Sequence, residues 1–116
     1  MRILCFVDTH GNEKMMEAVA EKANKADMAI CAGDFTIFGR NTERIMKQMD
    51  SMGKQVLLIA GNHEERDVLK KESRKHNNII FIDKGSIRIG KYLFMGYGGG
   101  GSLQTISVQS VTFFAV

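Results

Sequence analysis

Three short apolar runs, each followed directly by polar residues, organise the first half of the chain. They lie at about residues 2–7, 28–32 and 55–60. A nearly continuous apolar run of this length is typical of a strand that is covered on both faces, as strands are in a parallel sheet. The pattern therefore predicts three buried parallel strands.

The segments between these runs have apolar residues three or four positions apart, which is the period of a helix. Asn12 is placed to cap a first helix that runs to about Lys25. Asn41 or Thr42 begins a second helix, and Gly53 ends it. The first half of the chain is thus predicted to be a β-α-β-α-β core of an α/β fold.

The second half is predicted to contain one more helix and several strands. The helix covers about residues 64–76, with Val68 and Leu69 as its apolar positions. Extended structure is predicted at residues 79–82, 87–89, 92–95 and 102–116. Gly90 and Lys91 fit a two-residue hairpin between the second and third of these segments.

Composition narrows the class of protein. The 116 residues suit a single domain over residues 1–116, and a net charge of +3 from scattered lysines and arginines gives no strong nucleic-acid signature. The sequence shows neither a secretory signal nor an apolar stretch that could span a membrane. Cys5 and Cys31 each lie within an apolar run, so we expect both to be small buried core residues and the protein to be cytoplasmic.

Polar residues with metal-binding chemistry follow each of the three apolar runs. Asp8 and His10 follow the first, Asp34 follows the second, and Asn62 and His63 follow the third. The carboxyl ends of parallel strands meet at one edge of a sheet, where ligands bind in open α/β folds. Carboxylate, imidazole and amide donors suit Mn, Fe, Zn or Mg, so these residues predict a divalent metal site. We expect Asp8 and His10, one residue apart on an extended strand end, to project to the same side.

A family resemblance rests on these same segments. Asp8-Thr9-His10-Gly11, Gly33-Asp34 and Gly61-Asn62-His63-Glu64 resemble the D-x-H, G-D and G-N-H-[DE] blocks of the calcineurin-like metallophosphoesterases, in the same order. The resemblance is specific over residues 1–64 and general over residues 65–101. It implies a metallophosphoesterase-like α/β fold in which this chain supplies the first sheet and an incomplete second sheet.

The resemblance also implies a role for each matching residue. Asp8 and His10 would bind a first metal ion, Asp34 would bridge two ions, and Asn62 would bind the second. One or two divalent ions per chain are implied, with Mn expected first and Fe, Zn, Ni or Mg as alternatives.

Three of the matching residues would take part in catalysis or substrate binding. His63 would contact the phosphate together with Asn62 and act as a general acid. The neighbouring Glu64 would hold His63 in place. Asp34 would be catalytic because it binds the metal ions. The expected reaction is hydrolysis of a phosphoric ester, most often a diester, by a metal-activated water, so that no protein nucleophile is required.

The chain departs from the family pattern in its histidines. Family members supply further histidines after the glycine-rich region, including a G-H-x-H block, whereas this chain has histidines only at positions 10, 63 and 76. His76 is expected at the surface, near the end of the third helix. The second metal would then have only Asp34 and Asn62 as protein ligands. The alternative hypothesis is therefore a truncated or degenerate relative that binds metal or phosphate, or acts as an interaction module, without turnover.

Other interpretations of these segments stay open. Asp8 and Asp34 can instead accept backbone donors in strand-to-helix turns. Residues 96–101 formally match G-x-G-x-x-G, but no helix-like segment follows, so we expect an active-site loop there. The apolar tail, residues 102–116, is predicted to add a strand or to pair with a second copy in a homo-oligomer, since an exposed apolar edge favours association.

Overall fold

The computed structural model describes residues 1–61, 63–82 and 84–98 with their side chains, and residues 104–108 and 111–115 by their backbone. Eight strands and three helices lie in these segments. In chain order they are β1 (Ile3–Phe6), α1 (Glu13–Ala23), β2 (Met28–Cys31), α2 (Thr42–Asp50), β3 (Gln55–Leu58), α3 (Arg66–Ser73), β4 (Ile79–Phe81), β5 (Gly85–Ile89), β6 (Tyr92–Tyr97), β7 (Gln104–Val108) and β8 (Val111–Ala115).

The first four strands form one parallel sheet in the order β1-β2-β3-β4. Each is followed or preceded by a helix, as parallel neighbours require, because a short hairpin cannot join them. The α/β fold class and its parallel β-α-β-α-β core are thus confirmed. The loops that leave β1, β2 and β3 all emerge at the same edge of the sheet.

Helices α1 and α2 begin where the capping residues predict. The Asn12 side chain accepts a hydrogen bond from the backbone N–H of Met15 at 3.1 Å, which satisfies one of the free donors at the start of α1. Gly53 follows α2 with φ +71°, a left-handed conformation that ends helices. Helix α3 is shorter than predicted, and Val68 is exposed, so the helix packs inward through Leu69. None of the helices within the described residues is long and apolar enough to cross a membrane.

Alternating residues of the parallel strands face two separate cores. On one side, Val56 and Leu58 pack with side chains of the helices, including Ile45, Met46 and Met49. On the other side, Leu57 and Ile59 pack against Phe94 of β6. The parallel sheet is therefore covered by helices on one face and by the second sheet on the other.

The second sheet is antiparallel, with strand order β5-β6-β7-β8. Ile89 pairs with Tyr92 across Gly90, which confirms the predicted two-residue hairpin. The backbone of the C-terminal segment forms β7 and β8, so the prediction that this tail is extended and adds to the sheet is confirmed. Its pairing with a second copy stays a prediction.

The prediction that Cys5 is buried is wrong. Cys31 is completely buried in β2, but Cys5 is exposed in β1. The reason is that β1 lies at the edge of the parallel sheet, where neither apolar core includes Cys5. An apolar run predicts a strand, but it does not tell whether neighbours cover both of its faces.

The prediction that His76 lies at the surface is also wrong. Its side chain is only 10% exposed and lies between two carboxylates. The ring Nδ1 is 3.2 Å from an Asp50 oxygen, and Nε2 is 3.4 Å from an oxygen of Glu72. His76 therefore joins α3 to the end of α2.

Candidate metal centre

The loops after β1 and β2 are joined by backbone hydrogen bonds that continue the sheet beyond its last paired residues. The N–H of Asp8 donates to the Gly33 carbonyl at 3.3 Å, and the N–H of His10 donates to the Asp34 carbonyl at 3.2 Å. These bonds bring three of the predicted metal ligands to one edge of the sheet. The structure thus places Asp8, His10 and Asp34 beside one another, as their positions after the strands predict.

These three residues share an unusual backbone conformation. Their φ angles are positive: +57° for Asp8, +48° for His10 and +51° for Asp34. A non-glycine residue in this left-handed region costs on the order of 1–3 kcal/mol, and such residues concentrate at functional sites. The expectation that an extended strand end projects Asp8 and His10 together is therefore wrong. A tight turn does so instead, and it leaves Asp8 Oδ1 4.0 Å from His10 Nε2.

Asp34 is the most buried of these three residues, with a relative exposure of 6%. Its Oδ1 accepts a hydrogen bond at 3.0 Å from the backbone N–H of His63, in the loop after β3. The carboxylate of Asp34 is thus directed across the sheet edge toward the third predicted motif.

Two glycines allow this close approach between the loops after β2 and β3. A Cβ on Gly33 would lie 2.5 Å from the backbone N of Gly61, and its φ of +93° already excludes most side chains. A Cβ on Gly61 would overlap the Asp34 carboxylate. The glycines at these positions are therefore required by the packing that positions Asp34.

The Glu64 side chain connects the loop after β2 to the loop after β3. Its carboxylate is buried and accepts hydrogen bonds from the N–H groups of Asp34 at 2.7 Å and Gly61 at 3.0 Å. The Thr36 hydroxyl donates to it at 2.8 Å and the Thr36 N–H at 3.3 Å. A carboxylate with this many donors fixes the relative position of the loops that carry Asp34 and His63.

His63 has partners other than the one that the resemblance implies. The Phe38 backbone N–H donates to His63 Nδ1 at 3.4 Å, and the two rings stack with centroids 4.7 Å apart. The His10 ring lies on another side, with a centroid separation of 5.1 Å. Because the Glu64 carboxylate is directed to the backbone, Glu64 positions His63 through the loop and not by contact with the ring.

The donor chemistry at this edge fits a divalent cation. His10 Nδ1 lies 3.4 Å from the Thr36 carbonyl oxygen, which can only accept, so the ring proton belongs on Nδ1. The lone pair of Nε2 is then free on the side that faces Asp8, an arrangement typical of metal-binding histidines. The 4.0 Å between Nε2 and Asp8 Oδ1 is less than twice a metal-ligand bond of about 2.1 Å. One ion can therefore reach both atoms.

The ligand set is not complete within the part of the chain that the structure describes. No group of three or more His, Cys, Asp or Glu side chains stands at metal-binding spacing among those residues. Asn62, the predicted ligand of the second ion, lies outside the described residues. Half of the predicted glycine loop, residues 99–101, lies outside them as well. The prediction of a loop is wrong for residues 96 and 97, which belong to β6, and the Gly98 carbonyl accepts a hydrogen bond from the Arg66 guanidinium.

Cys31 lies next to the site but is not a ligand candidate. Complete burial raises the pKa of the Cys31 thiol, and the nearby carboxylates of Glu64, Asp34 and Asp8 raise it further. The thiol therefore stays protonated, and only a thiolate binds metal well. This agrees with the expectation of a site made of oxygen and nitrogen donors.

Sequence reasoning missed two residues of this site. Thr36 binds Glu64 with both its backbone and its hydroxyl, and Phe38 covers one face of the His63 ring. Both follow the Gly33-Asp34 motif within four residues. The available signal was a large aromatic residue between Gly33 and Arg40, but it does not single out Phe38, because Phe35 in the same segment is fully buried.

Comparison with known proteins agrees with this geometry. The chain matches the calcineurin-like phosphoesterase family over residues 1–115. It is also similar to the uncharacterized protein MJ1162 of Methanocaldococcus jannaschii, with 33% identity over 100 residues. That alignment covers 85% of this chain and 44% of MJ1162, so the chain spans less than half the length of this relative. The chain belongs to the calcineurin-like phosphoesterase family, whose members bind divalent metals.

Proposed function

We propose that this chain is a metal-dependent phosphoric ester hydrolase that acts on phosphodiesters. The observation that carries the proposal is the meeting of Asp8, His10 and Asp34, each with a strained left-handed backbone, at the carboxyl edge of adjacent parallel strands. Family membership supports the reaction class. The diester preference rests on the resemblance of the sequence motifs.

In this proposal Asp8, His10 and Asp34, together with Asn62, hold one or two divalent ions, with Mn²⁺ expected first and Fe, Zn, Ni or Mg as alternatives. Bound ions of this kind supply positive charge that polarises the phosphate and activates a water molecule. The burial of Asp34 strengthens its attraction for a cation, since the charge is poorly screened there.

His63 is proposed to protonate the leaving group. Its Nδ1 lies opposite the Phe38 N–H, which can only donate, so Nδ1 accepts and the ring proton is carried by Nε2. A proton on Nε2 is available to the oxygen of the departing alcohol. Glu64 supports both His63 and Asp34 by holding their loops at a fixed distance.

The test is hydrolysis of bis(p-nitrophenyl) phosphate with added Mn²⁺. Asp34→Ala should lower kcat/KM by at least about a hundredfold, because a lost metal ligand weakens the hold on the ions, and loss of one group that stabilises transition-state charge typically costs that much. Asp27→Ala is the matched control, since Asp27 precedes β2 at the opposite end of that strand and should leave activity unchanged. Equal rates for the wild type and Asp34→Ala would exclude the enzymatic proposal.

One observation favours a second candidate function, a metal- or phosphate-binding module without turnover. Within the described residues no set of three ligands stands ready at metal-binding spacing. Metal content measured by mass spectrometry separates the candidates when it is combined with the diester assay. About two ions per chain with turnover support the hydrolase, whereas one ion or fewer with no turnover supports the module.

A further inference from the structure

Phe38 stands out among the large apolar side chains because it is the most exposed of those that the structure describes. Its relative exposure is 77%, although it lies directly beside His63. Its φ of +51° is a left-handed conformation that bulky residues rarely adopt. An exposed aromatic ring on a strained backbone next to a reaction site is a candidate for contact with the substrate.

The loop holds this ring in place. The N–H of Gly39 donates to the Thr36 hydroxyl at 3.1 Å, and the Thr42 hydroxyl donates to the Gly39 carbonyl at 2.7 Å. Thr36 is in turn bound to the buried Glu64. The backbone is therefore anchored on both sides of Phe38, and the ring itself stacks on His63, so that little further ordering is needed when a second ring stacks on it.

A cleft of about 340 Å³ opens beside the Phe38 and His63 rings. Leu69, which is fully buried, and Val68 supply apolar walls on the α3 side. Glu65 contributes a carboxylate to the lining, which disfavours an anionic group there. The cleft thus suits a flat, uncharged group that is attached to the phosphate.

We propose that Phe38 and this cleft bind an aromatic ring on the leaving-group side of the substrate. The inference rests on the proposed function, because it uses the role of His63 as the group that protonates the leaving oxygen. A leaving group near His63 Nε2 lies next to the ring that stacks on His63. Phe38 is then a specificity-determining residue that selects phosphoesters of aromatic over alkyl alcohols.

Binding of two phosphonates to the Mn²⁺-loaded protein tests this proposal without turnover. Phenylphosphonate should bind more tightly than methylphosphonate by about two- to tenfold, the effect typical of one aromatic pair. Phe38→Gly, which suits the left-handed backbone and so should fold, is expected to abolish this difference in affinity between the two phosphonates. Phe38→Tyr should keep the difference, and so should Met95→Ala, which alters an exposed apolar side chain on β6.

The outcomes separate the two proposals. If methylphosphonate fails to bind the wild type, the proposed phosphoester site is wrong and this inference falls with it. If both phosphonates bind the wild type equally, or if Phe38→Gly weakens both in parallel, the site stands but Phe38 does not select aromatic groups. A loss of the preference for phenylphosphonate in Phe38→Gly alone supports the inference.

Discussion

At the scale of single residues, the site depends on one buried carboxylate that contacts no substrate in the proposed mechanism. Glu64 accepts from the N–H groups of Asp34 and Gly61 with one oxygen, and from Thr36 with the other. Each backbone donor would otherwise be buried without a partner, which costs about 1–3 kcal/mol. The Glu64 carboxylate therefore supplies acceptors for the N–H groups that the close packing around Asp34 buries.

Glu64→Gln tests this role with almost no change in size. A glutamine side chain offers one acceptor oxygen and one NH₂ group, so in either orientation a backbone N–H faces another donor. We expect the free energy of unfolding, measured in urea, to fall by about 1–3 kcal/mol. Glu65→Gln makes the same chemical change at the next, exposed position, where the side chain forms no capping bond, and should change stability by less than about 0.5 kcal/mol. Similar losses for both variants would contradict the role given to Glu64.

The residue scale also shows how far the sequence could predict the site. Asp8, His10 and Asp34 were predictable because residue type and position after a strand decide the chemistry. Thr36 was not, since its role depends on a carboxylate 28 positions later in the chain. Local patterns report the strands and the donors, but hydrogen bonds between distant loops exist only once the sheet has aligned those loops.

At the scale of elements, helices α2 and α3 are joined to β4 through polar contacts as well as apolar ones. One Asp50 oxygen lies 3.2 Å from the ring of His76, and the other accepts from the Asn78 N–H at 3.0 Å. The Asn78 amide donates back to the Asp50 carbonyl at 3.0 Å. The end of α2 thus fixes the turn that leads into β4. The helices themselves were predictable from periodicity, whereas this junction was not, because its partners lie 26 and 28 positions apart.

Asp50→Ala should destabilise the protein through this junction. The variant leaves the Asn78 N–H and the largely buried His76 ring without their acceptor, so we expect the free energy of unfolding to fall by about 1–3 kcal/mol. Glu13→Ala is the control, because its ion pair with Arg44 joins two helices at the surface, with the Glu13 side chain 76% exposed. Such a pair contributes about 0–1 kcal/mol. Thermal unfolding followed by circular dichroism compares the two variants, and an equal or larger loss in Glu13→Ala would contradict the prediction.

At the scale of the whole molecule, each sheet of the described fold has two outer strands, and β1 and β8 are the two considered for association. Strand β1 bounds the parallel sheet beside β2, and β8 bounds the antiparallel sheet beside β7. The outer backbone groups of an edge strand are a template for pairing with another chain. We propose that the chain self-associates through β8, as its apolar sequence suggests, so the mass measured by light scattering should rise with concentration. A constant monomer mass would contradict this.

Cys5 offers a probe of the β1 edge, because its exposed thiol lies in β1 whereas the Cys31 thiol is fully buried in β2. A thiol reagent should therefore label one cysteine per native chain and two per unfolded chain, and Cys5→Ser should remove the native signal. Partial burial raises the pKa of the Cys5 thiol, so its thiolate fraction and its labelling rate should both rise as the pH is increased. If β8 is the contact, the labelling rate of Cys5 stays the same as protein concentration increases, because β1 remains open to the reagent. A rate that falls in step with the rise in mass would place the contact at β1 and would contradict association through β8.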